Sequence, residues 1–377
     1  MKKIIINGTV VLKDALLKTN VLINDDIIEG FSNDIKEGYE IIDAKGAYVA
    51  PGFVDVHTHG RNKCDTMDGT YESIDTISVN CMKTGVTSVC PTTMTQSVEL
   101  TRQAIQNCAD YMGKENGAKI VGVHMEGPFI EIKKKGAQPG EYVVPASVET
   151  YEAMVNGNDH AIALMSLAAE LEGGHEFTHY LVSKGVTASL GHTGANYEQA
   201  KEAFRHGVNH ATHTYNAMSG FTHREPGVVG AIFDTDHVYA ELILDGIHVH
   251  FAAAKTLIKE KGIEKVCLIT DSMEASGLPD GEYALGGQPV YVKNGEARLF
   301  DGTLAGSVLK MNEGVRNAYH ELHLPLYDAV RMASYNPAMS INHPEIGEIA
   351  PMKKADILFI NENIDILGVM INGKEMM

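Results

Sequence analysis

The chain has 377 residues, 44% of them hydrophobic and 21% charged, which excludes a disordered or coiled-coil protein and exceeds one ordinary domain. Lys and Arg number 31 against 49 Asp and Glu, a net charge of −18 that opposes nucleic acid and anionic membranes, and obliges any anionic substrate to find a local basic pocket. Five scattered cysteines without a CxxC pair read as reduced thiols of a cytoplasmic protein, and no apolar run suits a signal peptide or a membrane span.

In chain order, the first fifty residues read as short strands separated by turns. Lys3–Ile6 and Val10–Leu12 flank Asn7-Gly8, a hairpin-type turn signal; Val21–Ile23, Ile27–Phe31 and Glu40–Ile42 follow. No helical period interrupts them. The last thirty residues are similar, with Ala355–Ile360 and then Ile366–Ile371 running into Asn372-Gly373. The two ends are expected to pair in one sheet, giving a small β-sandwich-like domain split over residues 1–51 and 345–377 around an insertion at 52–344.

The insertion alternates. Short β-branched runs recur at Gly52–Val56, Val86–Cys90, Lys119–Val123, Ala161–Leu167, Val186–Leu190, Val208–Thr212, Val238–Leu244 and Lys265–Thr270. Segments of helical period lie between them, among them Glu72–Thr84, Ser97–Met112, Glu176–Lys184, Tyr197–His206 and Ala252–Lys261. Repeated strand–helix units imply parallel strands with helical crossovers, and eight of them close an α/β barrel of the (β/α)8 kind. A doubly wound open sheet is the alternative, although the chain lacks its G-x-G-x-x-G turn.

Barrel chemistry gathers at the C-terminal strand ends. Strand 1 ends in Asp55-Val56-His57-Thr58-His59, strand 3 in His124-Met125-Glu126, strand 5 in Gly191-His192-Thr193 and strand 6 in His213-Thr214-Tyr215-Asn216. Strand 7 ends in Asp245-Gly246-Ile247-His248 and strand 8 in Thr270-Asp271-Ser272. Imidazoles and carboxylates in one place suit Zn, Fe, Mn or Ni. His57 and His59 are two apart on a strand, so they face the same way and can grip one ion. Taken singly, His192 and His213 could be core histidines, Glu126 a loop carboxylate and Asp271 a helix cap; their coincidence at one barrel end argues for a site. His124 lines the barrel or packs, and Lys133-Lys134-Lys135 is either a solvated face or a feeder of phosphate to the site. There is no nucleophile elbow and no phosphate loop.

These residues sit in longer motifs: Pro51-Gly52-Phe53-Val54-Asp55-Val56-His57-Thr58-His59, His124-Met125-Glu126-Gly127-Pro128-Phe129, His213-Thr214-Tyr215-Asn216-Ala217-Met218 and Arg224-Glu225-Pro226-Gly227. With them, over almost its whole length, the chain resembles the N-acetylglucosamine-6-phosphate deacetylases of the amidohydrolase superfamily. The resemblance implies a divalent ion, zinc or iron, held by Glu126, His192 and His213. Because His57 and His59 are retained, it also implies a second ion bridged by Glu126, hence one or two per chain; no lysine in Ala161–Glu170 competes for the bridging role. Asp271 would move the catalytic proton. Asn216, Ala217, Arg224 and His248 would surround the sugar phosphate, Arg224 and His248 reaching across a homodimer. Ala137, Gln138, Leu304, Ala305 and Gly306 would lie along the sugar and its acetamide, with Gln138 standing where several relatives have His. The resemblance thus implies hydrolysis of N-acetylglucosamine 6-phosphate to glucosamine 6-phosphate and acetate. Another amidohydrolase, of the dihydroorotase or deaminase type, and a catalytically silent binding barrel are the competing readings.

Overall fold

A computed structural model describes residues 1–377. Eight short strands form the barrel: Phe53–Thr58, Val86–Thr93, Val123–Glu126, Ile162–Leu167, Thr187–Leu190, His210–Ala211, Tyr239–Ile243 and Val266–Ile269. Each lies parallel to the next. Closure between the last and the first is made just beyond the strand ends, where Asp271 N–H donates to the His57 carbonyl and His59 N–H to the Ser272 carbonyl, both at 2.8 Å. The ring is therefore sealed by the residues expected to carry the chemistry.

The expected strands appear with altered ends. The sixth shrinks to His210–Ala211, and beyond it His213 and Tyr215, at φ 29° and 81°, leave extended geometry. The third divides into Lys119–Ile120 and Val123–Glu126 around Gly122 at φ 146°. Crossover helices occur at Tyr71–Met82, Val98–Tyr111, Gly174–Ser183, Tyr197–Arg205 and Phe251–Lys261. Their starts carry local signals: the Ser97 hydroxyl accepts from Leu100 N–H, and Asn196 and Gln199 form a reciprocal cap. Three further helices, Met311–His320, Leu326–Ala333 and Tyr335–Ser340, follow the last barrel strand and were not anticipated.

The two chain ends do share a sheet. Ile357–Ile360 runs antiparallel to Tyr48–Pro51, with Ile357 opposite Pro51 and Ile360 opposite Tyr48. Period-2 alternation makes this sheet a seam. Val49, Ile357 and Met370 point into a small core shared with the neighbouring N-terminal sheet, whereas Ala50, Leu358, Val369 and Ile371 join the main core against the barrel.

Asn7-Gly8 does not make a hairpin. Lys2–Ile6 pairs with Asn20–Asn24 and Glu40–Asp43, while Thr9–Val11 pairs with Leu16–Leu17 and Tyr48–Pro51, so the turn passes the chain from one sheet to the other. The turn chemistry is real, with Asn7 at φ 57°, but a turn signal specifies a bend and not the partner beyond it. A side chain at Gly8 would put its Cβ 2.5 Å from Val49 Cγ2, so the close approach of the two sheets also requires glycine there. A three-stranded antiparallel sheet at Gly281–Leu285, Gln288–Lys293 and Glu296–Arg298 also escaped the sequence reading. It follows the eighth strand and overhangs the barrel mouth.

Leu358 and Ile357 are fully buried on opposite faces of the seam. Leu358→Ala and Ile357→Ala should each lower the unfolding free energy by about 2–5 kcal/mol, measured by guanidinium denaturation. A loss as small as that of a surface substitution would contradict the two-faced packing.

Candidate metal centre

Glu126, ending the third strand and buried, stands at the centre of four imidazoles. Its Oε1 is 3.1 Å from both His192 Nε2 and His213 Nε2, and those two nitrogens are 3.1 Å from one another. Its Oε2 is 3.1 Å from His59 Nε2. His57 Nε2 lies 3.5 Å from Oε1. Asp271 completes the ring, Oδ1 being 3.4 Å from His59 Nε2 and 3.5 Å from His57 Nε2. Two ligand trios lie in this ring, Glu126, His192 and His213, and His57, His59 and Asp271; a third grouping, His57, His124 and Glu241, lies deeper in the barrel.

Backbone strain aims these groups. His192, His213 and Asp271 have φ values of 47°, 29° and 46°, in the left-handed region that non-glycine residues rarely occupy. Each such residue costs about 1–3 kcal/mol and persists only where its surroundings over-determine it. Asp271 is held by its N–H bond to the His57 carbonyl, and His213 by an N–H bond of 2.9 Å to Glu241 Oε2.

The opposite ring nitrogens settle the tautomers. His192 Nδ1 is 2.8 Å from the Lys134 carbonyl, His59 Nδ1 is 3.2 Å from the Thr92 carbonyl and His57 Nδ1 is 3.0 Å from Glu241 Oε2. A carbonyl or carboxylate oxygen can only accept, so each Nδ1 carries the proton and donates it. A ring that carries only this proton turns an Nε2 lone pair toward Glu126 or Asp271. Lone pairs facing carboxylates repel unless a cation lies between, and His57 Nε2 is a buried nitrogen with no hydrogen-bond partner. The donor set fits divalent metal. Protonation answers the same frustration without metal: burial opposes charge on His59, but Asp271 and Glu126 outweigh it and raise its pKa to about 9. For Asp271, burial pushes the carboxyl up, and the imidazoles of His57 and His59 pull it below its ordinary value, leaving it ionised at neutral pH.

An open cleft of about 330 Å³ lies over this cage. His59, Glu126, His192, His213 and Asp271 form its floor, and Ala137, Gln138, Asn216, Ala217, His248, Leu304 and Gly306 line its walls. His57 sits beneath the floor and Ala305 is buried behind the wall. His248 stands within its own chain's site. Expected to reach across a dimer, it lines the cleft of its own chain, tethered through Nδ1 to Asp245 Oδ2 at 2.7 Å. Burial disfavours its charge, yet Asp245 holds its pKa above the ordinary value. Arg224 lies on an exposed loop and does not line this chain's cleft.

The structure adds contacts that the sequence could not give, and one group, Glu241, that it did not single out. Gln138 bridges two partners, its Nε2 donating to Glu126 Oε2 at 2.6 Å and its Oε1 accepting from Thr95 N–H at 2.7 Å. Glu241 is fully buried beneath His57, and its only signal was one charge inside the apolar run Tyr239–Leu244. Lys133 and Lys134 also line the cleft. Asp55, of the strand-1 motif, stays out of the cage: it accepts from Thr270 Oγ1 and N–H at 2.6 and 3.2 Å and ties the first strand to the eighth.

Residues 48–376 match the amidohydrolase family. The chain belongs to that family. It is 37% identical over 373 residues to the N-acetylglucosamine-6-phosphate deacetylase of Bacillus subtilis strain 168, covering 97% of this chain and 94% of the relative. The crystal structure of the N-acetylglucosamine-6-phosphate deacetylase from Pasteurella multocida superposes with a TM-score of 0.94 at 30% identity, covering 100% and 99% of the two chains. A variant of the Mycobacterium smegmatis deacetylase, solved in complex with N-acetyl-D-glucosamine-6-phosphate, superposes with a TM-score of 0.93 at 27% identity, covering 100% and 99%. The amidohydrolase family is metal-dependent, and the cage described above has the donors that this requires.

If Glu126, His192 and His213 form the tighter site, His192→Ala or His213→Ala should remove bound metal, measured by elemental analysis, and activity with it. Replacing His57 and His59 together should remove at most a second ion. Full metal retention in either single variant would contradict the assignment.

Proposed function

We propose that this amidohydrolase hydrolyses the acetamide of N-acetyl-D-glucosamine 6-phosphate, giving D-glucosamine 6-phosphate and acetate. The observation that carries the reading is the set of Nε2 lone pairs converging on Glu126 at the floor of a sugar-sized cleft, in a chain closely similar to deacetylases of that substrate. The proposed ligands are Glu126, His192 and His213 for one ion, with His57 and His59 and the second oxygen of Glu126 for another. Zinc or iron suits such mixed imidazole and carboxylate donors. When bound, the divalent ion supplies Lewis-acid polarisation of the acetamide carbonyl and acidifies water.

The chain's own groups do the rest. Asp271, ionised and at the cleft floor, takes the proton of the attacking water on a carboxylate oxygen and returns it to the departing amine nitrogen. Gln138 fixes the rotamer of Glu126, which gives this neutral residue a role that needs no imidazolium. Ala137 and the Leu304, Ala305 and Gly306 turn shape the wall along sugar and acetamide, and Asn216 and Ala217 lie toward the phosphate. His248, whose pKa Asp245 holds above its ordinary value, and the nearby Lys133 and Lys134 give an acidic protein local basic groups for that phosphate. We further propose a cytoplasmic homodimer in which Arg224 completes the partner's site; its exposure and its absence from the lining of its own cleft favour this. Residues 1–51 and 345–377 then serve as the small domain and 52–344 as the catalytic barrel.

Asp271→Asn keeps the shape but cannot take the proton, so kcat for acetate release should fall about 10²–10⁴-fold or more while substrate still binds. Near-normal turnover would strip Asp271 of its role, since Asn caps a helix about as well as Asp. Arg224→Ala should raise KM for the 6-phosphate far more than it affects unphosphorylated N-acetylglucosamine, because a guanidinium fork is matched to phosphate. Mixing Arg224→Ala with Asp271→Asn chains should regain partial activity in hybrid dimers. Hybrids as inactive as both parents would mean that each site is built within one chain.

A further inference from the structure

We propose that Glu241 is a positioning residue that presents His57 to the second ion; the proposal rests on the two-ion reading above. Glu241 lies in the seventh strand, where Ala240 and Leu242 point outward into the main core, so period-2 alternation turns Glu241 into the barrel lumen beneath the cage. It is fully buried, and no Lys or Arg pairs with it. A buried carboxylate without a cation is costly, and an apolar side chain in the same layer would be cheaper.

Its two contacts give it a role. Oε2 accepts from His57 Nδ1–H at 3.0 Å and from His213 N–H at 2.9 Å, while Oε1 has no partner, His210 Nδ1 standing 3.7 Å away. The backbone bond to His213 locks the carboxylate rotamer, and the locked carboxylate fixes the ring of His57. Among the four caged imidazoles only His57 has an anion behind it. His59 and His192 donate to neutral carbonyls, and His213 Nδ1 has no partner. A carboxylate behind an imidazole fixes its tautomer and makes its far nitrogen a stronger donor. That far nitrogen is His57 Nε2, buried, unpartnered and directed at Glu126 and Asp271. His57 also lies below the cleft floor, so its orientation is set from beneath and not by substrate.

The test is Co²⁺ titration of chelator-stripped full-length protein, followed by dialysis equilibrium and d–d absorption. Wild type should take two ions. Glu241→Gln keeps an acceptor oxygen and the volume but loses the charge; it should hold the first ion with unchanged affinity and the second about 10-fold more weakly, with altered absorption from the second ion. Glu241→Leu, which removes the acceptor, should retain one ion at concentrations that fill both wild-type sites. For Glu241→Gln, kcat should fall while KM stays, because Glu241 does not touch the cleft. Two ions of wild-type affinity in Glu241→Gln, or equal weakening of both as in a general structural defect, overturns the proposal alone. A wild type that takes only one ion overturns the two-ion reading and this proposal with it. If Glu241→Leu melts before assay, the amide variant decides.

Discussion

One carboxylate governs the arrangement. Glu126 is buried and faces four imidazole nitrogens, and three of those rings have their protons committed to acceptors on the far side. With neither a metal ion nor added protons the cage is electrostatically frustrated, because lone pairs confront charged oxygens at 3.1–3.5 Å in a medium that screens poorly. With a cation the same geometry becomes favourable. Much of the surrounding structure serves to keep these groups from relaxing apart: strained φ angles at His192, His213 and Asp271, ring-closing hydrogen bonds at the first and eighth strands, and Gln138 gripping Glu126 from the cleft side.

The barrel gives this constraint its rigidity. A closed ring of parallel strands offers eight neighbouring termini at one end, so ligands from distant parts of the sequence meet without long loops. The seam sheet extends the same core. Leu358 and Val369, near the C-terminus, pack with Ala50 against the barrel, so the two chain ends brace the body that holds the metal cage.

Legibility followed physical range. Residues at strand ends could be read because a parallel strand–helix repeat dictates which residues share a face, and His57-x-His59 needs only strand periodicity. The pairing of the chain ends was legible because both read as short strands separated by turns, with no helical period. The Asn7-Gly8 hairpin failed because the pairing partner is nonlocal. Thr92 and Lys134 act through backbone carbonyls, which no side-chain pattern reports. Glu241 left a trace, a single charge in an apolar strand, but its meaning depends on knowing that His57 lies opposite across the barrel. That His248 lines the cleft of its own chain was not legible, because sequence order says nothing about which cleft a loop residue enters.

The central claim is that Glu126 and its imidazoles are a metal cage, and anomalous diffraction from crystals of the metal-loaded protein tests it most directly. The account predicts a peak bounded by Glu126, His192 and His213, and a second, at sufficient metal, beside His57 and His59. Full metal occupancy with peaks elsewhere on the molecule and none within the cage would contradict it.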